Sequence, residues 1–266
     1  MFSTPIHKER VVAIDCFPES VASYPESYAI VAIDVIRATT SAVTAAAAGR
    51  RCFPVASLQA AFRLAAKMPR ALLAGETSGE LPAGFHMNNS PARLAARDDL
   101  NRPVILLSSS GTRLLHKARR RDAVYLACFR NAASLAARLP AQHSRVVLIG
   151  AGSRDEFREE DQVCCAWIAR GLMESGYEPL DRRTFEIVRR WGNSRPEAIL
   201  GGKSVAYLKR SNQLEDLEFI LGHINDLDDI FTLRHGEVVT GDIVARPSFP
   251  HRASALRPRE GILAAF

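Results

Sequence analysis

Short apolar runs that alternate with helix-forming segments constrain the fold of this chain more than any other feature. Six runs are rich in strand-forming residues, and each precedes a segment rich in helix formers such as alanine and leucine. Strands without polar residues are typical of a parallel sheet covered by helices on both faces. We therefore predict an α/β protein with a three-layer α/β/α architecture and a largely parallel or mixed sheet. The predicted strands are residues 28–33, 51–56, 71–75, 103–108, 123–128 and 145–150.

The pattern changes after residue 180, where helical segments follow one another without intervening strands. A hairpin is predicted over residues 229–242, with His235 and Gly236 at its turn. The final segment is rich in proline and arginine, which is typical of a loose tail. We expect an α/β core over residues 1–178, a helix-rich C-terminal part with the hairpin packed on it over 179–245, and a flexible tail over 246–266.

Composition and charge argue against several classes of protein. The chain has 266 residues and a formal charge of +6, but its few aromatic residues are not interleaved with basic ones, so we expect no nucleic-acid partner. No apolar run is long enough to cross a bilayer and the start lacks a signal core, so we expect no membrane partner and a cytoplasmic location. The five cysteines form no CxxC pair, which indicates reduced thiols. We expect a small-molecule partner and leave a homodimer open.

Polar side chains cluster where the predicted strands end. Asp34 and Arg37 follow the first strand, Glu76 follows the third, and a serine-rich loop with Arg113 follows the fourth. Ligands of open α/β sheets bind beyond the carboxyl ends of the strands, so these side chains are expected to meet. Hydroxyls and arginines hold phosphate oxygens, and carboxylates hold Mg²⁺. The mixture predicts a site for a phosphorylated ligand together with a hard cation.

Each polar residue also has a purely structural interpretation. Thr40 or Ser41 could cap the alanine-rich helix, and Ser110 could cap the next one. Asp155 and Glu160 could serve only to favour a helix N-terminus. Asp34 is the strongest functional candidate, because a carboxylate at the end of a buried strand needs a compensating partner, for which Arg37 is one candidate.

Four segments together resemble the 2-phosphosulfolactate phosphatase family, often called ComB. The stretch DVIRATT at 34–40 is the most specific of them, and the resemblance extends from about Val11 to about Val239. It implies an α/β/α enzyme that hydrolyses (R)-2-phospho-3-sulfolactate with Mg²⁺ to 3-sulfolactate and phosphate, a step of coenzyme M biosynthesis in archaeal members. The other segments are GETSGELPAGFHMNNSP at 75–91, SSSGTRLL at 108–115 and EFREEDQVC at 156–164.

The residues at the strand ends, together with the positions that match the family, give three groups of hypothesised site residues. Catalytic roles are expected for Asp34, Arg37, Glu76 and Arg113, with the two arginines neutralising charge on the phosphoryl group and the leaving group. Metal ligands are expected at Asp34, Glu76 and Asp161, with Glu160 as an alternative. Phosphate contacts are expected from Thr39, Thr40, Asn89, Ser90, Ser110, Gly111 and Thr112. Ile36 stands where phosphatases with an Asp-x-Asp motif carry their second acid, so we rank attack by water above a covalent route through Asp34.

Three positions depart from the family pattern. Thr77 stands where an arginine is usual, His86 where an aspartate is usual, and Ser110 where an asparagine is usual. The lost arginine and acid predict altered recognition of the carboxylate and sulfonate of the substrate. The alternatives are therefore a phosphatase for another small phospho-acid and a non-catalytic protein that binds a phosphorylated ligand.

Overall fold

The computed structural model describes residues 10–153 and 156–241. The predicted tail over 246–266 and the candidate Asp155 lie outside the described residues. Ten strands form one sheet. They are β1 Val11–Cys16, β2 Ala29–Ile33, β3 Cys52–Val55, β4 Leu72–Gly75, β5 Val104–Leu107, β6 Val124–Ala127, β7 Arg145–Gly150, β8 Glu178–Pro179, β9 Ile230–Arg234 and β10 Glu237–Gly241.

The helices occupy the connections between the first strands and then dominate the region between β8 and β9. None of the described helices is both long and apolar enough to span a membrane. They are α1 Ala38–Ala47, α2 Leu58–Lys67, α3 Pro91–Ala95, α4 Gly111–Ala118, α5 Ala132–Arg138, α6 Glu159–Glu174, α7 Arg182–Trp191, α8 Lys203–Arg210 and α9 Leu214–Gly222. Short 3₁₀ helices lie at Pro18–Ser23, Leu139–Ala141 and Pro196–Gly201.

The sheet consists of two parallel blocks joined by an antiparallel hairpin. Its strand order is β4-β5-β3-β10-β9-β6-β2-β7-β1-β8. The hairpin β9–β10 pairs antiparallel with β6 on one side and with β3 on the other. Three successive antiparallel pairings make the block β4-β5-β3 run opposite to the block β6-β2-β7-β1-β8. At the usual twist of roughly 20–25° per strand, the five steps from β5 to β2 correspond to about 100–125°.

Helices cover both faces of this twisted sheet. A shared core lies between the two blocks and α1 and α4, and it includes Leu106 of β5, Ala32 of β2 and Leu114 of α4. The helix α1 suits this place because nine of its ten residues are buried and five of the ten are alanines, whose small side chains let the sheet approach closely. On the opposite face, α5 and α6 pack on the second block and α2 packs on the first.

The structure confirms the predicted α/β class, the mixed sheet and all six predicted strands. The hairpin is also confirmed, with positive φ at His235 and Gly236, as a tight turn between twisted strands requires. All five cysteines are free. Three features were not predicted: the strand β1, the short strand β8, and the position of the hairpin inside the sheet. The division of the chain at residue 178 stays a prediction.

Candidate active site

A cleft of about 860 Å³ lies where the loops after β2, β4, β5 and β7 face α8. Loops at the carboxyl ends of the two oppositely running blocks meet here, as a strongly twisted sheet allows. The predicted site residues that line the cleft are Asp34, Arg37, Glu76, Asn89, Ser110, Arg113 and Asp161. Thr39, Thr40, Ser90, Gly111, Thr112 and Glu160 lie behind this lining.

Asp34 lies at the base of the cleft, directly after β2. Its Oδ1 accepts a hydrogen bond of 3.1 Å from the backbone N–H of Ala38, at the start of α1. The pKa of Asp34 is raised to about 6, mainly by burial; the nearby charge of Glu76 contributes to the rise, and the N–H groups of Ala38 and Gly111 oppose it. The carboxylate is thus held by backbone donors, and the structure gives no ion pair between it and Arg37.

The two threonines that follow hold the loop after β2 in shape. The Thr39 hydroxyl donates to the carbonyls of Asp34 and Ala127 and accepts from the N–H of Asp34, at 2.7–2.8 Å. The Thr40 hydroxyl donates to the carbonyl of Val35 at 2.7 Å. Both side chains are buried, and neither hydroxyl caps α1. Their proposed contact with phosphate stays a prediction.

The loop after β5 lies so close to Asp34 that only glycine fits at position 111. A Cβ on Gly111 would collide with the carboxylate of Asp34 and lie 2.6 Å from the Cβ of Ala38. The turn is closed by Thr112 and Ser108, whose hydroxyls each accept from the other's N–H, at 2.9 and 3.0 Å. Ser110 makes no capping hydrogen bond to α4 and lines the cleft. Gly111 therefore supports Asp34, and Ser110 lines the cleft together with Ser108 and Ser109 of the same loop.

Glu76 is oriented by three hydrogen bonds. Its Oε1 accepts from the N–H of Ser109 at 2.6 Å, and its Oε2 accepts from the N–H of Gly79 at 2.6 Å and from the Ser109 hydroxyl at 3.0 Å. These bonds join the loop after β4 to the loop after β5. The carboxylate is consequently fixed on one side of the cleft.

Asp161 and Glu160 bring buried acidic groups to the start of α6. Asp161 accepts from the N–H of Val35 at 2.9 Å, which ties it to the loop of Asp34. Burial raises its pKa well above the usual range, and the charges of Asp34 and Glu160 add to the effect. Burial raises the pKa of Glu160 to about 7, although the Ser204 hydroxyl lies close enough to lower it somewhat. Neither carboxylate oxygen of Glu160 has a well-aligned hydrogen-bond donor.

Arg37 is held by Asp216 of α9 and by Gln213, the residue before this helix. Its Nη1 donates to the carboxylate of Asp216 at 2.6 Å and to the side-chain oxygen of Gln213. Asp216 is fully buried and also accepts from the Ser90 hydroxyl and from the N–H of Ala92 at 3.2 Å. The partner of Arg37 is thus Asp216, and Ser90 belongs to this support as well as capping α3 through the N–H of Arg93.

The remaining predicted residues lie at the edges of the cleft. Arg113 is half-exposed and pairs with Glu19 at 3.1 Å. Asn89 is buried, and its side-chain oxygen has no hydrogen-bond partner. Of the three departures from the family pattern, only Ser110 lines the cleft. Thr77 lies outside the lining, and His86 lies beside β4, where its Nδ1 accepts from the N–H of Leu73 at 2.9 Å.

The C-terminal part supplies a wall of the cleft that the sequence analysis missed. Lys203, Tyr207 and Arg210 of α8 line it, as do Arg158 and Glu156 before α6. Exposed lysines and arginines on a helix resemble an ordinary solvated face, so composition gives no signal for them. The spacing of i, i+4 and i+7 on α8 is the one pattern that places three of these residues on a common side.

The donor set fits a hard cation in chemistry. Asp34, Glu160 and Asp161 are buried carboxylates whose charges repel one another, and the oxygens of Glu160 lack aligned donors. Carboxylate oxygens are the ligands that Mg²⁺ prefers, and the ion commonly keeps several waters. Among the described residues, no three acidic, histidine or cysteine side chains are gathered into a ready-made metal site. A magnesium ion here would therefore depend on water and substrate oxygens as well.

Known proteins resemble this chain over most of its length. The model of the 2-phosphosulpholactate phosphatase family matches residues 16–235. A probable 2-phosphosulfolactate phosphatase of Carboxydothermus hydrogenoformans is 35% identical over 188 residues, which are 69% of this chain and 76% of the relative. Relatives described in the same words come from Symbiobacterium thermophilum, 34% identical over 60% of this chain and 70% of the relative, and from Clostridium perfringens, 28% identical over 82% and 93%.

The matched range contains every residue that lines the cleft. It also contains the helices α7 to α9 and the strand β9, so the resemblance extends beyond the predicted α/β core. The chain therefore belongs to the 2-phosphosulfolactate phosphatase family and to the phosphoric monoester hydrolases, as its sequence predicts.

Proposed function

We propose that this chain is a Mg²⁺-dependent phosphatase that hydrolyses (R)-2-phospho-3-sulfolactate to 3-sulfolactate and phosphate. The observation that carries the proposal is the meeting of Asp34, Glu76 and Asp161 with Arg37 and Arg113 in one cleft. Carboxylates and arginines in this arrangement suit a phosphate ester bound beside a cation. The choice of ester is supported by the relatives, which are named probable 2-phosphosulfolactate phosphatases.

In the proposed reaction a water oxygen forms a bond to phosphorus while the bond from phosphorus to the ester oxygen breaks. The electron pair of the broken bond goes to the 2-oxygen of the leaving acid, which takes up a proton. Arg37 and Arg113 stabilise the negative charge of the phosphoryl group by donating hydrogen bonds to its oxygens. Arg37 is suited to this role because Asp216 and Gln213 fix its guanidinium before the substrate arrives.

The acidic residues have the second role. Asp34, Glu76 and Asp161, with Glu160 as an alternative, would hold Mg²⁺, which when bound supplies positive charge that polarises the phosphoryl oxygens. Ile36 lines the cleft two residues after Asp34, where a covalent aspartyl route would need a proton donor. Direct attack by water is therefore the route we propose.

The test is phosphate release by purified protein from 2-phosphosulfolactate, phospholactate, phosphoglycolate and phosphoglycerate. We expect the sulfonated ester to be cleaved fastest, a chelator to abolish release and added Mg²⁺ to restore it. Asp34→Asn should lower kcat by roughly a hundredfold or more, because a catalytic contact is removed. Asp122→Asn makes the same chemical change at an exposed position outside the cleft and should leave kcat unchanged.

Three results would contradict parts of the proposal. Fastest cleavage of another ester would support phosphatase activity and show that the proposed substrate is wrong. Phosphate release that persists in chelator would show that the reaction does not require a metal. Tight binding of a phosphorylated acid without release from any ester would leave a non-catalytic binding protein. The expectations of a homodimer, a cytoplasmic location and no nucleic-acid partner stay predictions.

A further inference from the structure

The helix α8 presents a basic face to the cleft. Lys203, Tyr207 and Arg210 are spaced by four and then three residues, and all three line the cleft. Residues so spaced lie on one side of a helix, and seven residues at 1.5 Å each separate the two cations by about 10 Å along the axis. On its other side, α8 is held in the core by the buried Val205 and Leu208.

The basic face is anchored to the loop that carries Glu76. The Tyr207 hydroxyl donates to the carbonyl of Gly79, and the N–H of Gly79 donates to Glu76 at 2.6 Å. Gly79 has a positive φ, and a Cβ there would lie 3.0 Å from the Tyr207 hydroxyl. The position of α8 relative to the acidic side of the cleft is therefore fixed by direct hydrogen bonds.

The cations on this side are incompletely neutralised by the described residues. Lys203 binds the carboxylate of Glu156 at 2.7 Å, and Arg158 approaches the same carboxylate at 3.5 Å. The single negative charge of Glu156 thus faces two positively charged side chains. Arg210 has no ion pair with any residue of the described ranges. By contrast, Arg37 and Arg113 already have Asp216 and Glu19 as partners.

The phosphate end of the ligand does not account for these cations. In the proposed reaction the phosphoryl group contacts Arg37 and Arg113 beside the cation, at the loops after β2 and β5. A cleft of about 860 Å³ is much larger than a phosphate group, and it leaves room for the rest of a small acid between the loops and α8. Neither Thr77 nor His86 lines the cleft, so neither side chain supplies a charge there.

We propose that the basic face of α8, defined by Lys203 and Arg210 with Arg158 beside it, binds the acidic group that the substrate carries away from the ester carbon, which is the sulfonate in 2-phosphosulfolactate. This subsite would select phosphate esters that also carry a sulfonate or carboxylate away from the ester carbon. The inference rests on the proposed function for the ester itself. The charge and position of α8 carry it independently of which residue performs the chemistry.

Binding of reaction products tests the subsite without turnover. We would measure by calorimetry the Kd of three ligands. They are 3-sulfolactate, malate, in which a carboxylate replaces the sulfonate, and lactate, which has no acidic group at that position. Arg210→Gln and Lys203→Met should each weaken 3-sulfolactate binding roughly tenfold or more, as loss of a charge-assisted hydrogen bond does, and should weaken lactate binding by less than about twofold. Lys209→Met removes the same charge from an exposed position of α8 outside the cleft and should change neither Kd.

The ester assay separates this inference from the proposed function. In Arg210→Gln, the ratio of kcat/KM for 2-phosphosulfolactate over phospholactate should fall by roughly tenfold, and Arg210→Lys should restore part of it. Equal binding of malate and 3-sulfolactate would assign the subsite to any second acid, and tighter 3-sulfolactate would assign it to the sulfonate. Unchanged Kd values and an unchanged ratio in both variants would overturn the subsite. Binding that depends on Arg210 without phosphate release from any ester would overturn the proposed function alone.

Discussion

Gly111 is the residue through which the two blocks of the sheet meet at the cleft. Gly111 lies just after β5 of the first block, and its backbone lies against Asp34, which follows β2 of the second block. The N–H of Gly111 helps to hold the Asp34 carboxylate in its charged form and lowers its pKa. A side chain at residue 111 would move one of these loops, since neither the carboxylate nor the Ala38 Cβ behind it can yield freely.

We predict that Gly111→Ala lowers kcat for phosphate release by roughly a hundredfold, because a displacement of about 1 Å at a catalytic group is enough for such a loss. The measurement is steady-state kinetics together with a thermal melt to show that the variant is folded. Gly222→Ala is the matched control, because a Cβ there meets no atom within 4 Å. Full activity in Gly111→Ala would show that the close approach to Asp34 is not required.

At this scale the sequence predicts the site residues at the ends of strands better than those on the C-terminal helices. Asp34 stands out because a buried strand seldom ends in a carboxylate without a reason. Asp216 and Arg210 give no comparable signal, because each occurs in a helix with other charged residues. Asp216 contacts Arg37 across 179 positions of sequence, and a pairing of that length is visible only in the folded chain.

At the scale of elements, Arg50 joins the end of α1 to the loop before β5. Its guanidinium is buried and donates to the carbonyls of Asp99 and Arg102 and to the carboxylate of Asp99, at 2.7–2.8 Å. Hydrogen bonding to Arg97 is the main cause that lowers the pKa of Asp99 below its usual range, and Arg50 lowers it further. One carboxylate thus fixes the connection between two elements.

We predict that Asp99→Asn lowers the free energy of unfolding by about 2 kcal/mol at pH 7, as expected for hydrogen bonds to charged groups. Because the pKa of Asp99 is lower in the folded state, its contribution is complete above the ordinary value of 3.8 and is lost as the pH falls below it. Urea denaturation at pH 7, 5 and 3 should therefore show the gap between wild type and variant shrinking at pH 3. A gap that is constant with pH would exclude this carboxylate as its source, and Asp98→Asn, at an exposed neighbour, should show none.

Elements with a strong local pattern were predictable, and those defined by distant partners were not. The six predicted strands and the hairpin turn follow from apolar runs and turn residues near in sequence. The strand β1 contains Asp15 and ends at the half-buried Cys16, so its apolar run is short. The insertion of the hairpin between β3 and β6 depends on pairings such as Val238 with Cys52, for which the local sequence holds no information.

For the whole molecule, the hairpin β9–β10 makes one sheet out of two parallel blocks. Phe231 and Val238 of the hairpin are buried in the core that both blocks share with α1 and α4. Without the hairpin, β3 and β6 would each have an unpaired edge in the middle of the molecule. The C-terminal part therefore contributes to the structural centre as well as to the cleft.

A fragment of residues 1–178 tests the predicted domain boundary. We expect no cooperative thermal unfolding and no near-ultraviolet dichroism from it, because it lacks two central strands and the Asp216 partner of Arg37. The chain of residues 1–241 is the comparison and should unfold cooperatively. Cooperative melting of the shorter fragment would establish an independent core and support a boundary at residue 178.

The central place of the hairpin also bears on the order in which the protein is made. A ribosome completes β9 and β10 after every other described strand, yet these two strands occupy the middle of the sheet. During synthesis, the blocks can assemble only as separate halves with open edges, and such edges attract other unfinished chains. Newly made chains should consequently pass through a period in which they depend on chaperones, and that period should end when residue 241 becomes available for pairing.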